Sequence, residues 1–411
     1  MPLPNAKPRR YALFDAYGFE VSYSIVAKDT QDPAPIAAEL MGGIELDGTK
    51  RDLDVRRAFG DSAIAIGNSK VMRKPQKWAR KLNGRTAQWD ATLAARNSML
   101  LSGGAQPFNV KSKDAQGEGN LPKEVGHLFD LQHNGWWNDR ALRLDFRFNR
   151  ADEFAKLHAA VRVLLPILPG LTAASPVLNG RVTGQQSSRI QSRTAARAHI
   201  PELCGPLIPE PVFDQDDHDR TITVPIAQAI STLAPRSSFD PVELNARMAT
   251  THFDQGRLSI HAIDAQESST ANMAVAEFII AVIKAMVSGR WVSSYLQRAW
   301  GSDDLRAILL LNAEQGGDAV IEHSDYLLMF GLLKQGDMPV LKLWQHLFVN
   351  LYDELSDPAR EHISHLLEHG TLASRLLATL GTNPNTAAIR STYSTLAQCH
   401  ASDTAFMGHR R

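Results

Sequence analysis

The sequence predicts an α+β fold, with strands in the first two-thirds of the chain and helices in the last third. Three observations carry this. Ala141-Leu-Arg-Leu-Asp-Phe-Arg-Phe148 alternates apolar and charged residues with a period of two, as a half-buried strand does. Residues 151–168 place Phe154, Leu157, Val161, Leu164, Leu165 and Leu168 on one helical stripe. From residue 303 onward the periodicity is helical, with breaks near Gly316-Gly317, Gly336, Asp357-Pro358, Gly370 and Gly381.

The elements follow in order. Residues 11–28 alternate and carry β-formers, which predicts a strand. Pro33 to Met41 reads as a helix, Ala58 to Ile66 as a second strand, and residues 73–101 as a helix. Residues 102–126, rich in Gly, Gln, Lys and Asn, read as a long loop. In the strand 141–148, Leu142, Leu144, Phe146 and Phe148 fall on one face and Arg143, Asp145 and Arg147 on the other. Asn149 is the expected cap of the helix that follows, with Asp152 and Glu153 in its first turn. Pro166 is expected to kink or end that helix. Residues 170–215 read as a turn-rich connection with several prolines, and 271–288 as a buried helix. The expected division is a sheet-and-helix domain over residues 1–290 and a helical region over 291–411 packed on it.

Composition excludes several classes. The 411 residues are 44% hydrophobic and 21% charged, ordinary for a globular protein. Basic and acidic residues balance at 44 each, so no global field favours nucleic acid or an anionic membrane. The most apolar stretch, Met273 to Val287, is interrupted by Glu277 and Lys284 and is shorter than the ~20 residues a membrane span needs. Two cysteines, Cys204 and Cys399, argue against a disulfide framework, and no apolar leader follows Met1, so a cytoplasmic protein is expected.

Local constellations are read against simpler explanations. His362, His365 and His369 fall at helical spacing, and solvated histidines are the expectation over a metal site. Arg73, Lys74, Lys77, Arg80, Lys81 and Arg85, with Trp78, form a basic cluster that reads as a solvated helix face. Cys204 reads as a packed thiol. Ser102-Gly103-Gly104 lacks the lysine and the spacing of a phosphate-binding loop.

Two segments carry a resemblance. Tyr17-Gly-Phe-Glu20-Val-Ser22-Tyr23 and Leu258-Ser259-Ile260-His261-Ala-Ile-Asp264 resemble core strands of the carboxylate–amine ligase family, also called type 2 glutamate–cysteine ligases. There the first strand reads Gly-(Ile/Val)-Glu-x-Glu-(Tyr/Phe) and the second Leu-Glu-(Ile/Leu)-Arg-x-(Ile/Leu)-Asp. The resemblance extends through Gly135-Trp136, the strand 141–148, and the helix from Glu153 to Ala160. It continues through Ser175-Pro176, Thr183-Gly184 with Arg189, Ile200-Pro201, Pro209-Glu210-Pro211, Asn245-Ala246-Arg247 and Gly370-Thr371-Leu372-Ala373. It implies a glutamine-synthetase-like fold: a curved, mainly antiparallel sheet forming a funnel, with outer helices and a helical C-terminal part.

The resemblance also implies chemistry. Such ligases phosphorylate a carboxylate with Mg·ATP and let an amine attack the acyl phosphate. Mg²⁺ takes hard oxygen ligands, partly carboxylates, and arginines offset charge on the transferring phosphoryl group. Against the family pattern, Ser22 and Ser259 stand where glutamates belong, and His261 where an arginine belongs. Ser62, Ser69 and Ser187 fall at further acidic positions, and Gln106 where a histidine is expected. Arg143 and Asp145 replace the His and Asn of the central strand. By strand parity Asp264 faces away from Ser259 and His261. Glu20, Asp61, Asp145 and Asp264 remain as acids.

The remnant funnel candidates are therefore Glu20, Arg143, Asp145, Arg189, Arg247 and His261. Each has two readings. Glu20 is a residual metal or substrate contact, or a strand acid paired with Arg143 or Arg147. Asp145 is a funnel acid or a salt-bridge partner of its neighbours. Arg189 and Arg247 face an anion or make structural ion pairs. The expectation is a degenerate ligase without metal or ATP, serving as a structural or regulatory subunit of an active relative or of itself. This rests on the family's tendency to form homo-oligomers. The alternatives are an ATP-dependent ligase with a remodelled site, holding Mg²⁺ and nucleotide through Glu20, Asp145, Arg189 and Arg247, and a non-catalytic binder of a small anion through Arg143, Arg147 and His261.

Overall fold

The computed structural model describes residues 13–27, 35–40, 53–57, 63–68, 73–96, 98–101, 141–195, 200–233, 240–333 and 336–408. Its centre is a seven-stranded antiparallel sheet. The strands are β1 (Tyr17–Ala27), β2 (Leu53–Arg57), β3 (Ala63–Asn68), β4 (Ser98–Leu101), β5 (Ala141–Arg147), β6 (Ala249–His252) and β7 (Arg257–Asp264). The spatial order is β2-β3-β1-β5-β7-β6. The near half of β1 pairs with β5, while its far end, Ser24 to Ala27, pairs with β4.

Period-two alternation makes this sheet two-faced. Tyr17, Phe19, Val21, Tyr23 and Ile25 of β1 are buried on one face, with Leu142, Leu144 and Phe146 of β5 and Leu258, Ile260 and Ile263 of β7. Three helices close on this face: α1 (Pro75–Ala95), α2 (Ala151–Leu164) and α5 (Ser269–Val287). Trp78 of α1 stacks 5.7 Å from Phe19, and Phe154 of α2 lies 5.3 Å from Phe148. Burial of such side chains stabilises by roughly 1.5–3 kcal/mol each relative to exposure.

The remaining helices of eight residues or more are α3 (Ser188–Ala195), α4 (Val224–Leu233), α6 (Ser302–Gln315), α7 (Val340–Leu351), α8 (Asp357–His369), α9 (Leu372–Leu380) and α10 (Thr386–Ser402). One apolar cluster runs from Tyr17 to Leu367 and so joins residues on both sides of position 290. Polar bonds fasten the late residues to α2 and the turn after it: Tyr326 Oη donates to the Val163 carbonyl at 2.7 Å, and Trp344 Nε1 to that of Ile167 at 3.0 Å. A smaller cluster joins Val26 and Val177 to Leu372, Tyr393 and Phe406.

Two expectations need correction. The helix expected over 73–101 ends at Ala95, and Ser98–Leu101 is a strand on β1. The short apolar run Met99 to Leu101 carries no periodicity long enough to separate the two states. Arg150, not Asn149, holds the cap of α2, and the Glu153 carboxylate accepts the backbone N–H groups of Asn149 at 2.6 Å and Arg150 at 3.2 Å. Around Pro166 the helix tightens to a single 3₁₀ turn, Leu165–Ile167, and resumes as Leu168–Thr172. The expected loop at 102–126 lies outside the described residues.

The stretches Ala151–Thr172 and Ser269–Val287 have the length and apolarity of a membrane span, and both are mostly buried inside the fold. The charges in α5 have local partners. Lys284 Nζ lies 5.9 Å above the rings of Phe14 and Tyr17. Glu277 accepts from Gln76 of α1 at 2.8 Å, and from the Ser356 backbone N–H at 2.6 Å and hydroxyl at 3.0 Å, at the start of α8. One acid thus ties three helices. Glu277→Ala is expected to cost about 1–3 kcal/mol, because it strands a backbone donor. Urea unfolding would register this as a lower midpoint with an unchanged slope.

Candidate functional site

The face of the sheet opposite the core carries the polar residues of the strands. The register sets them side by side. Glu20 lies between Gly67 of β3 and Arg143 of β5, and Ser22 lies opposite Ala65. Asp145 lies between Gly18 of β1 and Ser259 of β7, and Ser259 opposite Thr250 of β6. Arg147, Arg257 and His252 form the next row.

The charges on this face form a chain. Arg143 Nη1 donates to Glu20 at 3.0 Å and its Nε to Asp145 at 3.1 Å. Asp145 is also 3.5 Å from Arg257 Nη1. Burial opposes ionisation of Asp145, but Arg143 and Arg257 overcome it and bring its pKa down to about 2. Gly18 makes room for this carboxylate: a Cβ there would stand 2.7 Å from Asp145 Oδ2. Glu20 and Asp145 therefore take the paired arrangement, Glu20 with Arg143 and Asp145 with Arg143 and Arg257. His261 Nε2 lies 3.0 Å from the Thr250 hydroxyl.

Asp264 does not follow parity. Leu144 pairs with Ile260 but Leu142 with Ile263, so β7 has one residue more than β5 between these pairs. This bulge brings Asp264 opposite Ala141, onto the face of Ser259 rather than away from it. The expectation from simple alternation is corrected by that single insertion.

Asp264 is fully buried and forms a hub. Its Oδ1 accepts from Arg189 Nε at 2.6 Å. Its Oδ2 accepts from the Ala174 N–H and the Ser175 hydroxyl, each at 2.8 Å, and from the Ser187 hydroxyl at 3.2 Å. Arg189 thus makes a buried ion pair, and Ser187 acts as a donor to a carboxylate. Arg247 is likewise engaged by Glu210 through a two-pronged contact, Nε at 2.7 Å and Nη2 at 2.5 Å, and its Nη1 reaches the Glu202 carbonyl at 3.1 Å. Arg189 and Arg247 do not join the Glu20–Arg143–Asp145 chain.

Sequence reading missed three contributors. His158 and Arg162, buried on α2, hold the Pro209-Glu210 turn: His158 Nε2 is 3.1 Å from the Glu210 carbonyl and Arg162 Nε donates to that of Pro209 at 2.7 Å. Their place four and eight residues after Phe154, on the apolar stripe of the helix, was the available signal. Arg257 shares strand parity with Ser259 and His261, which was signal enough to include it.

The other constellations are local. Among the described residues, no group of three His, Cys, Asp or Glu is placed to hold a metal, and His365 and His369 stack on each other at 4.5 Å. Lys74, Lys77 and Arg80 are exposed, while Trp78 is buried in the core. Cys204 is buried with its thiol 3.9 Å from the Thr194 carbonyl. Ser62, Ser69, Asp61, Gln106, Ser102-Gly103-Gly104 and Gly135-Trp136 lie outside the described residues.

A family model bears on this arrangement. The model of glutamate-cysteine ligase family 2 matches residues 69–309, more than half of the chain. The chain belongs to that family. An uncharacterized protein of Archaeoglobus fulgidus is 27% identical over 160 residues, 38% of this chain and 42% of that protein. A bifunctional glutathione synthetase from Pasteurella multocida shares the fold, with a TM-score of 0.54 and 12% identity over 95% of this chain and 52% of that one. The complex of the prokaryotic ubiquitin-like protein Pup and its ligase PafA aligns with a TM-score of 0.41 and 12% identity, over 94% of this chain and 64% of that one. The chain spans about half the length, or less, of the archaeal relative and the synthetase. The family's curved antiparallel sheet, outer helices and helical C-terminal part are all present.

Two outcomes follow from the buried charges. Asp264→Asn leaves the Arg189 guanidinium buried without its carboxylate and is expected to cost about 3–5 kcal/mol in denaturant unfolding. Ser187→Ala should cost only about 1 kcal/mol. The second outcome is a pH dependence. Burial pushes His158 down to about 3, and His218, His252 and His400 down to about 4, against an unfolded value near 6.5. Between those values the unfolded chain binds more protons, so stability rises with pH. The melting temperature at pH 4.5 should fall clearly below that at pH 7.5. The Asp145 contribution should persist through that window and be lost only as pH falls from about 3.8 towards about 2.

Proposed function

We propose that this chain is a catalytically degenerate member of glutamate–cysteine ligase family 2 that acts as a structural or regulatory subunit, with an active relative as its partner. One observation carries the reading: the acids of the funnel face, Glu20 and Asp145, are held by Arg143 and Arg257 rather than left open to a cation.

The donor set suits Mg·ATP poorly. Mg²⁺ requires hard oxygens in near-octahedral geometry, with carboxylates among them. Here the neighbouring oxygens on β1 and β7 belong to Ser22 and Ser259, which bring no charge. A divalent ion about 4 Å from a guanidinium meets a repulsion of roughly 8 kcal/mol at an effective dielectric of about 20. Displacing Arg143 to open Asp145 would strand a buried carboxylate, whose depressed pKa already reflects how strongly its arginines stabilise the charge. Ser187 donates to Asp264, so it serves the scaffold. No catalytic step is therefore assigned to these residues.

The scaffold itself argues for retention of a binding role. The sheet, α2 and the Asp264 hub form a filled interior, with large side chains such as Trp78, Phe146 and Trp344 fully buried. A subunit that contributes shape to an assembly needs this framework and not the metal ligands.

Calorimetric titration and thermal shift with ATP and Mg²⁺, against ADP and against ATP with chelator, test the reading. The expected result is no magnesium-dependent stabilisation. A saturable shift worth about 2.7 kcal/mol at a hundredfold excess over Kd would overturn it. Tagging the chain at native expression should recover a family relative that keeps carboxylates at the positions of Ser22 and Ser259.

A further inference from the structure

Beyond the acid–arginine chain, the same face has a second row with a different balance. The register sets Arg147 of β5 opposite Arg257 of β7, and Arg257 opposite His252 of β6. Directly opposed residues in an antiparallel pair have Cβ atoms about 4.5–5.5 Å apart, and like charges so placed are destabilising.

Among the described residues, one carboxylate, Asp145, acts on both arginines. Arg257 reaches Asp145 only at 3.5 Å, and that carboxylate also engages Arg143. Arg147 Nη1 donates to a carbonyl, that of Gln255, at 3.3 Å. The Nε atoms of both Arg147 and Arg257 are buried without a hydrogen-bond partner. A buried donor left unpaired is destabilising, and more so when it is charged. In the two rows of β5 and β7 that hold Asp145 and Arg147, the arginines are Arg147 and Arg257 and the carboxylate is Asp145. Asp254 and Asp240 act electrostatically on His252, and Asp254 is solvent-exposed. Burial, with Arg257 adding to it, keeps His252 neutral at physiological pH, so its ring can share a hydrogen bond without adding charge.

We propose that Arg147 and Arg257, with His252 beside them, form a binding site for a small oxyanion, the carboxylate or phosphate group of a small molecule. A guanidinium presents Nε–H and one Nη–H as a fork that matches two oxygens of such a group. The two guanidinium groups stand on directly opposed positions of adjacent strands, so one anion between them offers acceptors to both and offsets the cross-strand repulsion. Arg147 is half-buried, and the Arg257 side chain keeps 13% of its surface exposed, so the row is reachable from solvent. The site needs no metal and no nucleotide, and it stands apart from the question of lost catalysis.

The test uses the full chain in a chloride buffer without magnesium. Inorganic phosphate and succinate are titrated in separate arms, read by thermal shift and by calorimetry. At least one anion should raise the melting temperature saturably, by about 3 °C or more. A response to phosphate alone assigns a tetrahedral group, and one to succinate alone a carboxylate. Arg147→Gln should weaken that anion at least about tenfold. Without anion the variant should melt no lower than the parent, because a repulsive neighbour is gone. Arg147→Lys, which keeps charge but loses the fork, should bind more weakly than the parent. The proposal is overturned by no saturable response to either anion, by an equal response in Arg147→Gln, or by a lower anion-free melting temperature in that variant.

Discussion

A single carboxylate with no exposed surface, Asp264, organises the junction on which the fold turns. It sits at the end of the last sheet strand and accepts from a backbone N–H, two serine hydroxyls and a guanidinium. Those donors come from residues 174–189, the connection that leads from α2 towards α3. The same connection bonds onward to α6, through Ser187 N–H to the Ala313 carbonyl and Gln186 N–H to that of Glu314. Sheet, connection and helical layer meet at this one charge, whose burial is tolerable because four donors hydrogen-bond to it.

The bulge in β7 is what makes this hub possible. Without the extra residue, Asp264 would point at the apolar face among Leu142 and Ile263, where a carboxylate has no partner. With it, the strand keeps Leu258, Ile260 and Ile263 in the core and still turns its acid towards Arg189. The bulge also separates two kinds of charge on one strand. Asp264 is saturated and structural, whereas Ser259, His261 and Arg257 lie further back along the strand, on the partly open polar face.

On that face the chemistry is decided by neutralisation. A ligase of this family uses acids that converge on a metal. Here Glu20 and Asp145 converge on Arg143 and Arg257, so the field at the centre of the sheet is closer to balanced than acidic. The next row, Arg147 and Arg257, leaves a surplus of donors. The proposal of a degenerate ligase and that of an oxyanion site both rest on the hydroxyls and guanidinium groups that line this face.

Much of this was legible in the residues. Alternation in β1 and β5 identified the two faces of the sheet, and the stripe from Phe154 to Leu168 identified the helix that covers one of them. Both signals are local, since side-chain direction follows backbone period. The motifs around Glu20 and Ser259 led to the family, because they mark strands whose order in the chain is that of the fold. What the sequence could not decide was pairing. Whether Arg143 meets Glu20, whether Arg247 meets Glu210, and which face Asp264 joins all depend on strand register, on one inserted residue, and on segments dozens of positions apart. Those contacts arise only when the chain closes on itself, because charge pairing is a property of distance in space and not of separation along the backbone.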